Sequence, residues 1–250
     1  MNISSVVITK NEEKNMKRCL ESISFSDEII IVDDFSTDKT LEISKKYKTR
    51  VFKRNLNQNF TEQRNFGLLK ANSKWVLFID ADEEIPVELR NEIVQITSDP
   101  INTKKGFYIK RKDYLFSTKL NHGEWGNKKI LRLIKNGSGE WERNVHEMLK
   151  VNGNVGTLSS ELKHYPHKNL NKFIESINQF STIHALSNKK EGKRANIIKI
   201  IFYPFFKFFY NWIIKAGFKD KDYGFIMSLM MSFHSFLSWS KQWQQTKKKI

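Results

Sequence analysis

The apolar run Trp75-Val76-Leu77-Phe78-Ile79 stops on Asp80-Ala81-Asp82-Glu83, and this junction narrows the possible folds more than any other segment. Five large apolar residues bounded by polar ones read as a buried strand, so the carboxylates behind them belong at a sheet edge. In an extended chain residues i and i+2 point to one side, roughly 6–7 Å apart. Asp80 and Asp82 can then share a divalent cation, or divide between a cation and a hydroxyl. Two such charges repel unless something positive sits between them. The competing reading is an acidic helix start, because Glu83, Glu84, Pro86 and Glu88 lead into Leu89, Ile93 and Ile96, and carboxylates favour a helix N-terminus.

Upstream of that junction, strand and helix patterns alternate with short connections. Strands are expected at residues 3–9, 28–32, 50–53 and 74–79, and helices at 12–24, 38–47 and 61–71. This order predicts an α/β, Rossmann-like domain with a mainly parallel central sheet and helices on both faces. Ligands of such sheets bind beyond the carboxyl ends of the strands. Polar residues gather there: Thr9, Asn11 and Glu12, then Asp33, Asp34 and Asp38, then Asp80 and Asp82. No GxxxxGK[ST] occurs, and the turn Thr9-Lys10-Asn11-Glu12-Glu13 holds no glycine, so neither a P-loop nor a dinucleotide fingerprint is available. A metal on Asp80 and Asp82, helped by basic side chains, would hold phosphates instead. Cys19, the single cysteine, falls on the apolar stripe Met16, Cys19, Leu20, Ile23 and reads as a small core residue. It allows no intrachain disulfide, which fits a reducing compartment, and MNISSVVITKNEE does not read as an export signal.

Beyond residue 105 the pattern turns to short strands with Gly and Asn turns, for which antiparallel pairing is expected, with VNGNV as a hairpin. The last third changes again, to helices at 169–188, 197–215 and 223–239. The second, IIKIIFYPFFKFFYNWIIK, is broken by Pro204, and in the third Ser228, Ser232, Ser235 and Ser238 recur on one face. Both are short or interrupted for a membrane span of about 20 residues. They suit helices lying in a membrane interface, or else a helical hairpin packed on the sheet. Charge divides unevenly: residues 1–100 hold 15 Lys and Arg against 17 Asp and Glu, and residues 101–250 hold 28 against 10. A polyanionic partner is expected for the second part, and an anionic membrane surface fits better than nucleic acid, because the aromatics lie among Ile and Met on helical segments. The working division is therefore an alternating strand-and-helix part at 1–100, a short-strand part at 101–168 and a basic, aromatic helical region at 169–250.

Taken together, ISSVVITKNEEKNMKRCLESI, IIIVDDFSTDKT, TEQRNFGLLKANSKWVLFIDADEEI and NVHEML resemble a family 2 glycosyltransferase, in particular the subgroup of lipopolysaccharide core β-1,4-glucosyltransferases. VDDxSTD, QRN and DAD at these spacings carry the resemblance, which continues through RLIKNG, KHY and the aromatic C-terminal part. It implies a GT-A fold with its nucleotide-sugar-binding half at 1–100 and its acceptor-side half at 101–168, a nucleotide-sugar donor, UDP-linked, a divalent metal (Mn or Mg), and inversion at the anomeric carbon. By the same resemblance Thr9 and Glu12 line the nucleoside pocket, Asp33 and Asp38 contact uracil or ribose, and Arg64 reaches the base or the diphosphate. Asp80 binds ribose or metal, and Asp82 is the direct metal ligand. Glu147, in Asn144-Val145-His146-Glu147, is the candidate catalytic base, with Glu124 in HGEWGNKK as its rival and a strand-end salt bridge as its alternative role. His146 and His164 are further candidate metal ligands. Phe35 stands where the family carries a small residue, and Glu124 and Asn127 depart from the subgroup pattern.

The implied reaction moves a hexose, glucose in the subgroup, to a lipid-linked or lipopolysaccharide-core saccharide at the cytoplasmic face of a bacterial plasma membrane, where the protein is peripheral. A polyprenyl-phosphate or peptide acceptor uses the same donor domain, whereas the absence of QxxRW and of a long uninterrupted span argues against a processive synthase. Two other classes compete. A nucleotidyltransferase would need a glycine-rich loop after the first strand, and a non-catalytic basic membrane- or nucleic-acid-binding protein would leave the carboxylates unexplained.

Overall fold

A computed structural model describes residues 2–57, 59–126, 128–142, 147–167 and 169–247. Two compact units make up the chain, residues 1–111 with 129–164, and residues 112–128 with 165–250. The excursion at 112–128 groups with the C-terminal helices.

The first unit begins with the expected alternation: β1 (Ile3–Thr9), α1 (Glu13–Ser22), β2 (Glu28–Asp33), α2 (Thr40–Ser44), β3 (Thr49–Lys53), α3 (Phe60–Lys70) and β4 (Trp75–Asp80). β5 (Glu83–Glu84), α4 (Val87–Ser98), β6 (Gly106–Leu115), β7 (Thr118–Lys119), β8 (Lys128–Lys135), β9 (Gly139–Glu142), β10 (Met148–Val151) and β11 (Val155–His167) follow. The large sheet has the order β3-β2-β1-β4-β8-β6-β11-β5, with β7 on β6. β3, β2, β1 and β4 are parallel, and β8 runs antiparallel to β4.

Strand periodicity explains why these strands are apolar throughout. Val7, Ile29, Ile31, Trp75, Leu77 and Ile79 point to the face covered by Met16, Cys19 and Leu20 of α1 and Leu89 and Ile93 of α4. Val6, Ile30, Val32, Val76 and Phe78 point to the opposite face, against Phe66 and Leu68 of α3 and Trp141 and Leu149 of β9 and β10. A sheet covered on both sides has no polar face to display. Cys19 is fully buried in the first of these clusters.

The expected VNGNV hairpin is not formed. β10 pairs with β9 in a separate two-stranded sheet, and β11 belongs to the large sheet. Gly153 turns the chain at φ +132. The neighbouring backbone groups bond elsewhere, Asn152 N–H to Ser138 O at 2.7 Å and Lys105 N–H to Asn154 O at 2.7 Å.

In the second unit α5 (Leu170–Lys190) and α6 (Ile197–Phe209) lead through a π-helical turn (Tyr210–Ile214) and a 3₁₀ turn (Gly217–Asp220) to α7 (Lys221–Lys247). Leu115, Leu120, Trp125, Phe173, Ile177, Met227 and Met230 form its core. Pro204 does not break its helix. It is buried, and its carbonyl accepts from the Ser232 hydroxyl of α7 at 2.8 Å, so packing offsets the lost backbone bond. The serine face of α7 turns inward: Ser228 and Ser238 are buried, their hydroxyls donating to Gly224 O and His234 O, while Phe225, Leu229, Phe233 and Phe236 are exposed. The helical run Ile197–Ile214 is long and apolar enough to cross a membrane by length and composition, and only 6% of it is buried.

Gly67 marks the closest approach of α3 to the sheet, because a Cβ added there would collide with Val6 Cγ1 and press on Val32 Cγ2. Alanine gains about 1 kcal/mol in helix propensity, but overpacking a core costs about 1–3 kcal/mol. Gly67→Ala is expected to lower the thermal midpoint. A midpoint equal to or above that of the wild type would show that α3 lifts away freely.

Candidate active site

Sheet register lines up the first group of expected site residues. Thr9 pairs with Asp33 and Ile8 pairs with Asp80, so the carboxylates of β2 and β4 flank the end of β1. The loops after β1 and β2 are locked together. Asn11, at φ 54, donates its N–H to Ser36 Oγ at 2.9 Å and accepts the Thr37 N–H on Oδ1 at 2.8 Å. Asp33 is fully buried and accepts both the N–H and the hydroxyl of Ser36. Asp38 accepts the N–H of Glu13 at 3.1 Å and of Thr40 at 2.9 Å, serving the first turns of α1 and α2 with one carboxylate. Burial acts to raise its pKa, but the bonds from Thr40 and Glu13 outweigh it and hold the group below the usual carboxylate range. Glu12 accepts from Asn15 Nδ2 at 2.7 Å. Thr9 Oγ1 is buried with no hydrogen-bond partner among the described residues, and Phe35, at φ 51, is exposed beside this group.

The second group surrounds Asp80. Arg64 Nη2 donates to Oδ1 at 2.7 Å and Arg132 Nη2 to Oδ2 at 2.5 Å, so both oxygens are held by guanidinium groups. Arg64 also donates to Glu147, and Arg132 to Glu83 at 3.0 Å. Glu83 is fully buried and accepts the Asp80 N–H at 2.8 Å. Trp141 lies beneath, with the Arg64 guanidinium 4.6 Å and that of Arg132 6.0 Å from its ring centre. Pairing of β5 with β11 sets His164 opposite Glu83 and brings its Nε2 to 3.4 Å from Asp82 Oδ2.

Protonation follows from this arrangement. Burial pushes the Asp80 carboxyl up, but Arg132 and Arg64 outweigh it and keep the group ionised far below the usual range. Asp82 is likewise lowered, burial being outweighed by His164. Glu83 and Glu147 go the other way. Burial raises both, Arg132 offsets it only in part for Glu83 and Arg64 only in part for Glu147, and the Asp80 charge adds to the rise.

No three His, Cys, Asp or Glu side chains converge on a common ion position among the described residues. The oxygens of Asp80 are engaged by arginine. Asp82 and His164 form a carboxylate–imidazole pair, donor types that suit Mn²⁺ and similar divalent ions. His146 lies outside the described residues. Glu124 belongs to the second unit, where its carboxylate accepts from Lys207 Nζ at 2.6 Å and Asn211 Nδ2 at 3.5 Å.

Sequence reasoning passed over Arg132 and Trp141, and offered Glu83 only as an acid at a helix start, whereas it is a buried strand residue paired with Arg132. Arg132 carried a signal: in KKILRLIK it is a full charge between Leu131 and Leu133 on a strand, and a buried charge needs a partner.

Three comparisons bear on this site. The profile of glycosyl transferase family 2 matches residues 4–138. Lipopolysaccharide core biosynthesis glycosyltransferase LpsC of Rhizobium meliloti (strain 1021) is 29% identical over 97% of this chain and 92% of its own, and an uncharacterized glycosyltransferase of Rickettsia bellii (strain RML369-C) is 27% identical over 96% and 85%. S. aureus TarS 1–349 in complex with UDP-GlcNAc aligns over 100% of this chain and 92% of its own at a TM-score of 0.51 and 15% identity, a likeness of fold. The family profile spans more than half of the chain, and the protein belongs to glycosyl transferase family 2 as a glycosyltransferase of GT-A fold.

Proposed function

We propose that the protein transfers a hexose, with inversion, from a UDP-linked donor to a saccharide acceptor of the lipopolysaccharide-core type. The observation that carries this reading is the concentration of Arg64, Asp80, Asp82, Glu147 and His164 beyond the carboxyl end of β4, beside the Thr9–Asp33 edge. Similarity to LpsC over nearly the whole chain supports the acceptor class, and the UDP-GlcNAc complex of TarS, a protein of the same fold, supports the donor.

In this reading Thr9 Oγ1 and the Asp33 edge receive the nucleoside. Asp82 and His164 would hold a divalent cation, which would supply neutralisation of the charge gathering on the diphosphate, worth several kcal/mol. Glu147 takes the proton from the acceptor hydroxyl as the hydroxyl oxygen bonds to the anomeric carbon and the bond from that carbon to the diphosphate oxygen breaks, releasing UDP. Arg64 orients Glu147 and Asp80 at once, so the base and the donor edge share one scaffold. Buried and raised in pKa, Glu147 is a stronger base than a solvated carboxylate. The basic second part of the chain and the exposed apolar surface of α6 support a peripheral position at the cytoplasmic face of the plasma membrane.

Asp82→Ala and His164→Ala are each expected to abolish the Mn²⁺-dependent part of UDP binding, read by calorimetry, with the thermal midpoint little changed. Mn²⁺-dependent affinity retained in both variants would remove the cation from this pair.

Glu147→Gln is expected to bind UDP normally and lose about 10²–10⁴ in transfer rate. Because the working form is the ionised carboxylate, activity should fall as pH drops through the raised pKa. The acid limb of kcat/KM then lies above the ordinary glutamate value of about 4.3. A Glu147→Gln enzyme with undiminished transfer would assign the base elsewhere.

Vesicles test the membrane position. Sedimentation with anionic liposomes should exceed that with neutral ones and weaken with salt, and Phe206→Ser with Ile213→Ser should reduce it. Equal recovery with both vesicle types in the wild type would contradict it.

A further inference from the structure

A cleft of about 350 Å³ in the second unit is lined by Asn121, His122, Gly123, Glu124, Tyr210 and Lys215. Its polar groups are fixed before any ligand arrives. Asp220 accepts the N–H of Asn121 at 3.0 Å and of His122 at 2.8 Å, and its other oxygen lies 2.8 Å from His122 Nδ1, which holds both loop and ring. Glu124 donates its N–H to Asn211 Oδ1 at 3.1 Å, and its carboxylate is steadied by Lys207 at 2.6 Å. Gly123, at φ +77, donates to Lys215 O at 2.9 Å and lies against the Trp125 ring so closely that a side chain there would collide with it. The buried Nε1 of that indole has no hydrogen-bond partner among the described residues.

The helix wall of the cleft is unusual as well. Lys215 N–H bonds to Tyr210 O, five residues back, at 2.8 Å, closing the π-helical turn that sets both residues on the cleft. Such turns are rare and collect at functional sites. Phe206, Phe209, Ile213 and Ile214 on the same continuous helix are apolar and exposed.

We infer that this cleft is a saccharide-binding site, and that its ligand is the sugar head of an amphiphile whose hydrocarbon lies along α6. Donors and acceptors are mixed, as hydroxyl-rich ligands require: the Glu124 carboxylate, the His122 ring, the Asn121 amide and the Lys215 ammonium. Tyr210 adds an aromatic ring, one face of which has Lys215 Nζ 5.5 Å from its centre, leaving the opposite face as the one on which the apolar side of a pyranose would rest. The inference deepens the proposed saccharide acceptor and rests on that reading. It makes Glu124 a residue that binds acceptor, its carboxylate already engaged by Lys207.

Full-length protein would be titrated, without donor, with rough lipopolysaccharide in detergent and with its deacylated saccharide. A variant carrying Tyr210→Ala and Lys215→Ala alters two side chains that are both exposed, so it should fold. It is expected to weaken both ligands by roughly tenfold or more while UDP affinity stays unchanged. The wild type should bind the intact glycolipid more tightly than the deacylated saccharide. Glu124→Gln should raise the acceptor KM and largely keep kcat. Saccharide affinity that is absent in the wild type, or equal in the double variant, would overturn the site, and so would a fall in kcat at unchanged acceptor KM in Glu124→Gln. Failure of the wild type to bind UDP would instead overturn the proposed donor, with the saccharide titration still deciding the cleft.

Discussion

The arrangement around Asp80 depends on one carboxylate shared between two arginines. Asp80, Glu83 and Glu147 would repel one another in a half-buried setting, and Arg64 and Arg132 convert that repulsion into a connected network. Removing one partner from such a network leaves an uncompensated buried charge, which costs about 3–5 kcal/mol. The pairing also joins distant parts of the chain. Arg64 comes from α3, Asp80 from β4, Arg132 from β8, and Glu147 from just before β10. Trp141 supplies the flat apolar floor on which both guanidinium groups rest.

That network divides labour between the two aspartates that the sequence presents as a pair. Asp80 is neutralised by protein cations and fastens β4 to its neighbours. Asp82, two residues beyond the strand, pairs instead with the His164 imidazole of β11. On the other side of β1 the division recurs: Asp33 and Asp38 are consumed by local N–H and hydroxyl groups, whereas Thr9 Oγ1 is buried without a partner among the described residues. Carboxylates brought to one edge by strand order therefore serve as framework and as working groups, and hydrogen bonding distinguishes the two.

The parallel half of the fold was legible because strands covered on both faces are apolar at every position and the helices between them carry one apolar stripe. Those are local patterns. Pairing partners are not local, and so VNGNV read as a hairpin although its two flanks join different sheets. Pro204 read as a break because a missing N–H is visible in sequence, whereas the packing of α6 on α7 that offsets it is not. The serines of α7 were visible as a face, but whether a face of small polar residues points to water or to a neighbouring helix depends on the neighbour. Around Asp80 the acids were readable from their place after a strand. Their cations were less so, since an arginine among some forty other basic residues stands out only by the apolar company it keeps.

The second unit is assembled from two stretches far apart in the chain. Leu115, Leu120 and Trp125 pack with Phe173, Ile177, Met227 and Met230. Synthesis proceeds from the N-terminus at about 5–20 residues per second, so the first three emerge several seconds before Met230 exists. During that interval their apolar side chains lack first the α5 and then the α7 residues that cover them, and the nascent chain carries a transient sticky segment in its middle that completion of α7 conceals. A ribosome that stalls between residues 180 and 220 would thus hold a chain with every strand of the large sheet made and an apolar loop covered only in part, the kind of species that chaperones and proteases are built to recognise.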